Sequence, residues 1–295
     1  MTTKLLEIKI KRNKFKYYIV RFLEKTGIIA LINFRLIVKL NNHRFSIPFI
    51  GSKMGTENVL LAEAWFTDIF QQLKKVISQE ECFVDVGMNV GQTLLKVRSV
   101  DSTIRYIGFE PNVVCVQYLY KLIRINNIED IRIFPVGLGS NSEILTLYAD
   151  NEFASGASMI KFFRQNQKIK FEYNTPVFNG DVVLKNEPVG IIKIDVEGFE
   201  LNVLKGIVDT IKTNRPFIIC EILPNYNNEE TDRFKRQLEL ERLLLSWDYV
   251  ISRIHESKSK VERLDAIGSF SSMDETNYLF IPSEKLDKLK ALLIN

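Results

Sequence analysis

The sequence predicts an α/β fold in which helices cover both faces of a mostly parallel β-sheet. Short apolar runs alternate with segments of helical spacing from residue 82 onward, as in repeated βαβ units. The first such run leads into a glycine-containing turn, and a carboxylate ends the next one. Strands are predicted near 82–86, 104–109, 131–136, 190–195 and 216–222, and helices near 91–99, 112–126, 199–212 and 230–246.

The turn after the first strand has the composition of a nucleotide-binding loop. It contains Asp85, Gly87, Asn89 and Gly91, and the second strand ends at Glu110. Glycines let the backbone approach a ligand closely, and a carboxylate about 20 residues further on can bind both hydroxyls of a ribose. The pattern predicts an adenosine-containing cofactor. The structural alternative is a tight strand-to-helix turn that Asn89 caps.

The acid in this turn favours one cofactor over another. A dinucleotide site requires Gly-x-Gly-x-x-Gly, because a pyrophosphate binds the exposed amides at a helix N-terminus. Here the pattern is Asp85-x-Gly87-x-Asn89-x-Gly91, and an acid would repel a pyrophosphate. The same acid suits the ammonium of a methionine group, so S-adenosylmethionine is favoured over NAD.

A second group of acids follows the strand near 190–195. Asp195, Glu197 and Glu200 lie within six residues, where a strand leads into a helix. Ligands of open parallel sheets bind outside the carboxyl ends of the strands, so Asp195 and Glu197 are predicted to face the reacting atoms. Crowded carboxylates raise one another's pKa, which suits a general base. Glu200 is assigned to capping of the following helix.

Two further residues could reach the same rim. Glu221 ends the strand near 216–222, and a role in chemistry and simple solvation of the loop both remain open. His255 is one of two histidines and follows a later strand; it is interpreted as a surface residue rather than a base.

The remaining segments divide the chain into a leader and a main domain. Residues 1–56 are predicted to form a helix and then a hairpin that turns at Asn41-Asn42, and residues 57–295 are predicted to form the nucleotide-binding domain, which begins with a helix over 57–78. Strand-like runs at 144–148 and 171–178 predict an insertion over 140–180, whose small residues 154–159 suit a loop that closes over a ligand. Further strands are predicted at 249–254 and 277–281.

Composition excludes several classes of protein. The 295 residues are 46% hydrophobic, which is enough for one large core, and no run of 18 apolar residues predicts a spanning helix. The N-terminus has no apolar region typical of a signal peptide. Cys82, Cys115 and Cys220 lie in apolar segments without metal-ligand spacing, so we expect reduced thiols, a cytoplasmic location and no zinc site.

The leader is strongly basic. Residues 1–25 hold eight Lys or Arg against two Glu, a balance of +6, and aromatic residues are interspersed among them. Such a helix could lie on the anionic inner face of a membrane, or it could pack its apolar side on the main domain, which is the simpler expectation. Binding to nucleic acid is not expected, because no recognised binding motif accompanies the basic residues.

Several motifs together resemble the FkbM-type methyltransferases. The resemblance covers roughly residues 60–225, and its most specific part is Ile192-Lys-Ile-Asp-Val-Glu-Gly followed by Val203-Leu-Lys-Gly206. The other motifs are Val84-Asp-Val-Gly-Met-Asn-Val-Gly-Gln92, Phe109-Glu-Pro-Asn112, Val136-Gly-Leu-Gly139 and Gly156-Ala-Ser-Met159. One departure is Asn179-Gly-Asp181, where many members have a Leu-Asp-Asp-like sequence; Asp181 is retained.

The resemblance implies a Rossmann-like class I methyltransferase fold with a seven-stranded, mostly parallel sheet. It implies an enzyme that transfers a methyl group from S-adenosylmethionine to a hydroxyl of a sugar, glycan, glycolipid or related natural product. Asp195 and Glu197 are implied to lie beside the methyl group. The cofactor is assigned to Asp85, Gly87, Asn89, Gly91, Gln92, Thr93, Glu110, Pro111, Asn112, Gly137, Leu138 and Asp195.

Other functions remain as alternatives. A non-catalytic or nicotinamide-nucleotide-binding protein of the same fold is the main one. An N-methyltransferase is disfavoured, because Asp195-Val-Glu-Gly198 stands where an Asn/Asp-Pro-Pro-Tyr/Phe motif is expected. No metal ligands are assigned, although acids on one rim could hold Mg²⁺ with waters. The acceptor and the oligomeric state are not determined by the sequence.

Overall fold

The computed structural model describes residues 15–50, 54–60, 64–151, 156–163, 168–226, 229 and 231–294. Parts of several predictions lie outside these ranges. They are residues 1–14 and 51–53 of the leader, residues 61–63 of the helix predicted over 57–78, residues 152–155 and 164–167 of the predicted insertion, which include residues 154 and 155 of its closing loop, and residue 230 of the last long helix.

The strands and helices of the described residues have the following bounds. The strands are β1 (Asn33–Leu40), β2 (His43–Ile50), β3 (Cys82–Val86), β4 (Tyr106–Phe109), β5 (Ile131–Phe134), β6 (Gly137–Gly139), β7 (Glu143–Ala149), β8 (Phe171–Asn179), β9 (Val189–Ile194), β10 (Phe217–Glu221), β11 (Tyr249–His255), β12 (Lys260–Leu264) and β13 (Asn277–Pro282). The helices are α1 (15–25), α2 (Thr56–Leu60), α3 (Ala64–Lys74), α4 (Gln92–Val100), α5 (Val113–Asn126), α6 (Gly180–Val183), α7 (Glu200–Gly206), α8 (Val208–Asn214) and α9 (Asp232–Ser246). Short 3₁₀ helices cover Ile28–Ala30, Met273–Glu275 and Ser283–Leu289.

Among the described residues, eight strands form the main sheet in the order β12-β11-β13-β10-β9-β3-β4-β5. The five strands from β10 to β5 run parallel, and β13 lies antiparallel between β10 and β11. The predicted α/β class with a mostly parallel sheet is confirmed. The predicted count of seven strands is wrong by one: β12 pairs with β11 at the edge, and its charged sequence Lys-Val-Glu-Arg-Leu hides the strand pattern.

The central strands supply two hydrophobic cores, one on each face of the sheet. In β3, Val84 and Val86 face the core beneath α7, α8 and α9, whereas Phe83 faces the core beneath α3 and α4. Asp85 shares the second face with Phe83, and its cross-strand partner in β9 is Lys193. Side chains alternate between the two faces of a buried strand, so Asp85 and Lys193 lie side by side in the same apolar layer.

One predicted helix is broken where two backbones meet. The helix expected over 199–212 is divided into α7 and α8 at Ile207, whose ψ of 30° is not helical. A Cβ atom on Gly206 would lie 1.9 Å from the carbonyl oxygen of Gly139 in β6. The chain therefore turns where α7 packs directly on β6, a contact that local periodicity does not reveal.

The leader folds as predicted in the residues that can be described. Residues 15–25 form α1, and β1 and β2 form a hairpin that turns at Asn41 and Asn42. The hairpin packs on α5, where the amide of Asn126 bonds with both the N–H and the carbonyl of Ser46, at 2.7 and 2.9 Å. Val20 of α1 is fully buried in this contact region.

The insertion forms a separate small sheet beside the main one. Both strand-like runs become strands, and the sheet has the order β6-β8-β7. Its strand β6 directly follows β5, so the insertion lies at the carboxyl ends of the parallel strands. None of the helices that can be described is both long and apolar enough to cross a membrane.

Candidate active site

The loop between β3 and α4 is shaped by Gly87. Its φ of 92° is left-handed, and a Cβ atom there would lie 1.9 Å from the carbonyl oxygen of Asp195. The N–H groups of Gly87 and Met88 donate to the carbonyl of Phe109 at 3.0 and 3.2 Å. Only glycine fits this position, because the loop passes directly against the end of β9.

Glu110 is held rigidly at the end of β4. Its Oε2 accepts a 2.7 Å hydrogen bond from the N–H of Asn89, and its Oε1 accepts one of 2.8 Å from the N–H of Asn112. Burial raises the pKa of Glu110 to about 7, although the two N–H donors lower it. Each carboxylate oxygen has a second lone pair, so the side chain can still accept hydrogen bonds from a ligand.

These residues line a cleft of about 660 Å³, which we call the cofactor cleft. One wall contains Gly87, Asn89, Glu110 and Pro111, and the opposite wall comes from β6 and the insertion. The lining residues are Val86, Gly87, Asn89, Phe109, Glu110, Pro111, Val136, Gly137, Leu138, Leu147, Ala157, Met159, Asp195, Val196, Glu197 and Phe199. The lining is mostly apolar with a few polar groups, which is the usual composition of a small-molecule site.

Asp195 stands where β9 ends and is fixed at both its backbone and its side chain. Its N–H donates to the carbonyl of Val86 at 3.0 Å, and its Oδ2 accepts a 2.8 Å hydrogen bond from Nζ of Lys193. Burial alone would lower the pKa of Lys193, but Asp195, Asp85 and Glu221 together raise it above its usual value. The ammonium therefore stays charged and stabilises the ionised carboxylate of Asp195.

Glu221 adds a second carboxyl group beside Asp195. It ends β10, shares a hydrogen bond with Asp195, and accepts a 3.3 Å hydrogen bond from the hydroxyl of Thr276. Burial and the negative charge of Asp195 raise the pKa of Glu221 well above its usual range. One carboxylate and one carboxylic acid therefore lie side by side near neutral pH.

The acids open into a second space, which we call the polar cleft, of about 920 Å³. It shares Gly87, Asn89, Asp195 and Glu197 with the cofactor cleft. Its full lining is Trp65, Gly87, Met88, Asn89, Val90, Gln92, Thr93, Lys96, Lys193, Asp195, Glu197, Glu221 and Asn277. The two clefts thus meet at the acids that end β9.

The sequence profile described as the methyltransferase FkbM domain matches residues 85–251, more than half of the chain. The chain belongs to the FkbM methyltransferase family. The matched region contains the loop, the acidic ends of β4, β9 and β10, and the whole insertion.

Three proteins that this FkbM family member resembles share less than 25% identity with it. "Methyltransferase 1" of Beauveria bassiana (strain ARSEF 2860) is 24% identical over an alignment of 146 residues, and the match covers 43% of this chain and 58% of that protein. The crystal structure of methyltransferase FkbM from Methylobacillus flagellatus KT is 20% identical with a TM-score of 0.46, over 69% of this chain and 44% of that one. The O-methyltransferase from Bacillus cereus, in complex with SAH, is 14% identical with a TM-score of 0.42. The match covers 72% of this chain and 78% of that one. The chain spans little more than half of the curated relative and less than half of the Methylobacillus protein.

The structure brings most of the residues assigned to the cofactor together. Gly87, Asn89, Glu110, Pro111, Gly137, Leu138 and Asp195 line the cofactor cleft, and Gln92 and Thr93 line the polar cleft. Gly91 shapes the loop from behind, where its φ is 84° and Leu119 lies against it. Asn112 caps α5 by accepting a 3.0 Å hydrogen bond from the N–H of Val114. Asn89 does not cap α4, since Gly91 stands at that position.

Asp85 lies behind the loop and lines neither cleft. It is fully buried, its Oδ2 accepts a hydrogen bond from the hydroxyl of Tyr106, and its Oδ1 has no partner among the described residues. Burial raises the pKa of Asp85 to about 6, although Lys193 lowers it. Its predicted contact with the methionine end of a cofactor stays a prediction.

The remaining acids occupy different positions. Glu197 is buried at a left-handed φ of 52° and lines both clefts. Glu200 is the first residue of α7, and it accepts a 2.7 Å hydrogen bond from the N–H of Gly198, which precedes the helix. Its predicted role in capping that helix stays a prediction. His255 bonds with Glu262 at 2.8 Å on the edge strands and lines neither cleft.

Sequence reasoning overlooked the basic part of the site. Lys193 could have been noticed as a lysine inside an apolar strand, Ile-Ile-Lys-Ile, where a charge requires a buried partner. Lys96 and Trp65 carry no comparable signal, because their positions fit ordinary helical spacing. Within the described ranges, no group of three or more His, Cys, Asp or Glu residues is arranged to hold a metal ion.

Proposed function

We propose that this protein is an S-adenosylmethionine-dependent O-methyltransferase that acts on a hydroxyl of a sugar, glycan, glycolipid or related natural product. The observation that carries the proposal is the junction of the two clefts at Asp195. A cleft suited to a nucleoside opens there into a polar space where two carboxyl groups lie side by side.

The cofactor cleft fits the nucleoside part of the donor. Glu110 retains free lone pairs for two ribose hydroxyls, and the absence of a Cβ atom at Gly87 and Gly137 keeps the backbone close to the space. Asp195 and Glu197 line the junction, where a positively charged group is favoured over a pyrophosphate. When bound there, S-adenosylmethionine supplies a methyl group on a positively charged sulfur.

Asp195 is the proposed general base. Lys193 holds it ionised, and Glu221 retains a proton, so the pair has one carboxylate able to accept a proton near neutral pH. In the proposed reaction, Asp195 takes the proton that the acceptor hydroxyl loses as its oxygen gains the methyl group. Glu197 is the second candidate, because it also lines both clefts.

Two measurements test this proposal. Calorimetry should show binding of S-adenosylmethionine and S-adenosylhomocysteine but not of NAD. Incubation with a donor labelled on its methyl group and an extract of host glycans and glycolipids should then transfer the label to an acceptor. Binding of NAD alone would favour a nicotinamide-nucleotide protein, and donor binding without transfer to any acceptor would favour a non-catalytic member.

We also propose that residues 57–295 form the methyltransferase domain. In addition, we propose that the leader contacts an anionic membrane surface. In α1, Phe15, Tyr18, Ile19 and Phe22 follow helical spacing, and their side chains are 67%, 67%, 45% and 63% exposed. Lys16, Arg21 and Lys25 are interspersed with them, as in helices that lie in a membrane interface. Co-sedimentation with anionic but not neutral vesicles should be lost in the double variant Phe15→Ser, Phe22→Ser.

A further inference from the structure

A third and smaller space lies next to the acidic turn that follows β9. Helix α9 contributes Arg233 and Arg236 to its lining, and the turn contributes Gly198 and Glu200. We call this space the arginine pocket. Glu197, the residue before Gly198, lines both the cofactor cleft and the polar cleft. The arginine pocket therefore adjoins the part of the chain that is proposed to act in catalysis.

Arg233 is held in place by groups that carry no charge. Its Nη1 donates a 2.7 Å hydrogen bond to the carbonyl of Pro224, and its Nη2 donates to the carbonyl of Phe163. The guanidinium also lies 4.2 Å from the centre of the Phe163 ring. That ring packs on the acidic turn, since a Cβ atom on Gly198 would lie 2.2 Å from it. These contacts orient the guanidinium but do not balance its positive charge.

Arg236 lies one helical turn further along α9 and has no such support. Its side chain is partly buried, yet it makes no hydrogen bond or ion pair with any residue that the structure describes. Burial lowers the pKa of Arg236, although Glu200 and Asp232 raise it. Its guanidinium nitrogens keep accessible surface, so a ligand in the pocket can reach them. A partly desolvated guanidinium without a partner is costly, and a bound ligand would offset that cost.

The arginine pocket has an excess of positive charge. Of the described residues that line it, Glu200 alone is acidic, so two guanidinium groups face one carboxyl group. Burial raises the pKa of Glu200 to about 7, and this carboxyl group is therefore only partly ionised near neutral pH. Asp232 also attracts Arg236, but its side chain is 86% exposed and lies 3.6 Å from Lys235. Solvent screens the charge of such an exposed acid.

This excess favours an oxyanion as the ligand. A phosphate or a carboxylate would balance the charge and could accept two parallel hydrogen bonds from the fork of Arg236. A cation would be repelled by both guanidinium groups. A neutral hydroxyl would accept a hydrogen bond but would leave the positive charge unbalanced.

We propose that the arginine pocket binds an oxyanion group of the acceptor through Arg236, beside Arg233. This inference rests on the proposed function and narrows its substrate class to acceptors that carry an acidic group near the methylated hydroxyl. The oxyanion has two candidate sources. They are the phosphate of a phosphorylated sugar or glycolipid and the carboxylate of a uronic acid.

The test compares three sugars that differ only at carbon 6, namely glucose 6-phosphate, glucuronate and glucose. Ligand-observed NMR titrations use the full chain saturated with S-adenosylhomocysteine. Arg236→Gln removes the positive charge and keeps a polar side chain. Arg242→Gln makes the same change at an exposed position of α9 that does not line the pocket, so it is the matched control.

The wild-type protein should bind at least one acidic sugar about tenfold or more tightly than glucose. A preference for glucose 6-phosphate identifies phosphate as the source, and a preference for glucuronate identifies the carboxylate. Arg236→Gln should lose about tenfold for the preferred sugar and nothing for glucose. Arg242→Gln should bind all three sugars as the wild type does.

Failure of this inference and failure of the proposed function are distinguishable. Wild-type protein that binds S-adenosylhomocysteine but neither acidic sugar more tightly than glucose would overturn this inference alone, and that comparison does not depend on the folding of a variant. Equal losses in Arg236→Gln and Arg242→Gln would also overturn it. Wild-type protein that does not bind S-adenosylhomocysteine would refute the proposed function and this inference with it.

Discussion

Lys193 and Asp195 are joined by a 2.8 Å hydrogen bond between Nζ and Oδ2 at the carboxyl end of β9. The lysine side chain is 13% exposed and the aspartate side chain 33% exposed, so the charged lysine comes from the buried face and the carboxylate from the edge of the cleft. Lys193 is also the cross-strand partner of Asp85. The buried ammonium of Lys193 thus links Asp85, which lies behind the loop, to Asp195, which lies at the junction of the clefts.

The first prediction concerns the base. Asp195→Asn should lower turnover by about a hundredfold or more, because a general base contributes at least that much, and should change the affinity for S-adenosylhomocysteine little. Methyl transfer under single-turnover conditions and calorimetry separate the two effects. Glu197→Gln serves as the comparison, and full rates in both variants would exclude both acids as the base.

The second prediction concerns Glu110. Glu110→Gln can accept a hydrogen bond through only one oxygen, so one backbone N–H and one ribose hydroxyl lose their acceptor. The affinity for S-adenosylhomocysteine should fall by about tenfold to a hundredfold. Glu187→Gln is the control, because Glu187 pairs with Arg105 and Arg132 and lines neither cleft. Equal losses in both variants would contradict a specific role for Glu110.

The third prediction separates backbone strain from steric conflict. Gly27 and Gly87 both have a positive φ, but a Cβ atom at Gly27 has nothing within 4 Å, whereas one at Gly87 meets the carbonyl of Asp195. Gly27→Ala should lower the free energy of unfolding by about 1 kcal/mol. Gly87→Ala should cost roughly 3 kcal/mol or more and abolish nucleoside binding. Denaturant titration measures both, and similar values for the two variants would show that the contact with Asp195 is unimportant.

The fourth prediction concerns the dependence of stability on pH. Burial raises the pKa of Glu200 from 4.5 to about 7, so the folded protein binds this proton more tightly than the unfolded chain does. The stabilisation is complete below the unfolded pKa and is lost as the pH rises toward 7.

Glu200→Gln removes this titration and keeps an oxygen to accept the N–H of Gly198. The variant should match the wild type near about pH 4 and be more stable by roughly 3 kcal/mol near about pH 8. Thermal and chemical unfolding at both pH values provide the measurement. A stability difference that does not vary with pH would contradict the assigned cause.

The sequence predicted the parts of the fold that local chemistry controls. The apolar runs of β3, β9 and β10 and the turn residues at Asn41 and Asn42 are local signals, and each formed the predicted element. The edge strand β12 was missed because three of its five residues are charged, which breaks the apolar pattern of a strand. The break between α7 and α8 depends on the contact of Gly206 with β6, which is distant in sequence.

The same division applies to the site. The sequence by itself determined that acids end β4, β9 and β10 and that glycines shape the first loop, because strand ends and turns have local signatures. Only the tertiary structure decided that Asp85 lies behind the loop, that Glu221 bonds with Asp195, and that Lys193, Lys96 and Trp65 join them. The physical reason is that hydrogen bonds and buried charges depend on distances across strands and helices, and residue order does not specify those distances until the sheet has formed.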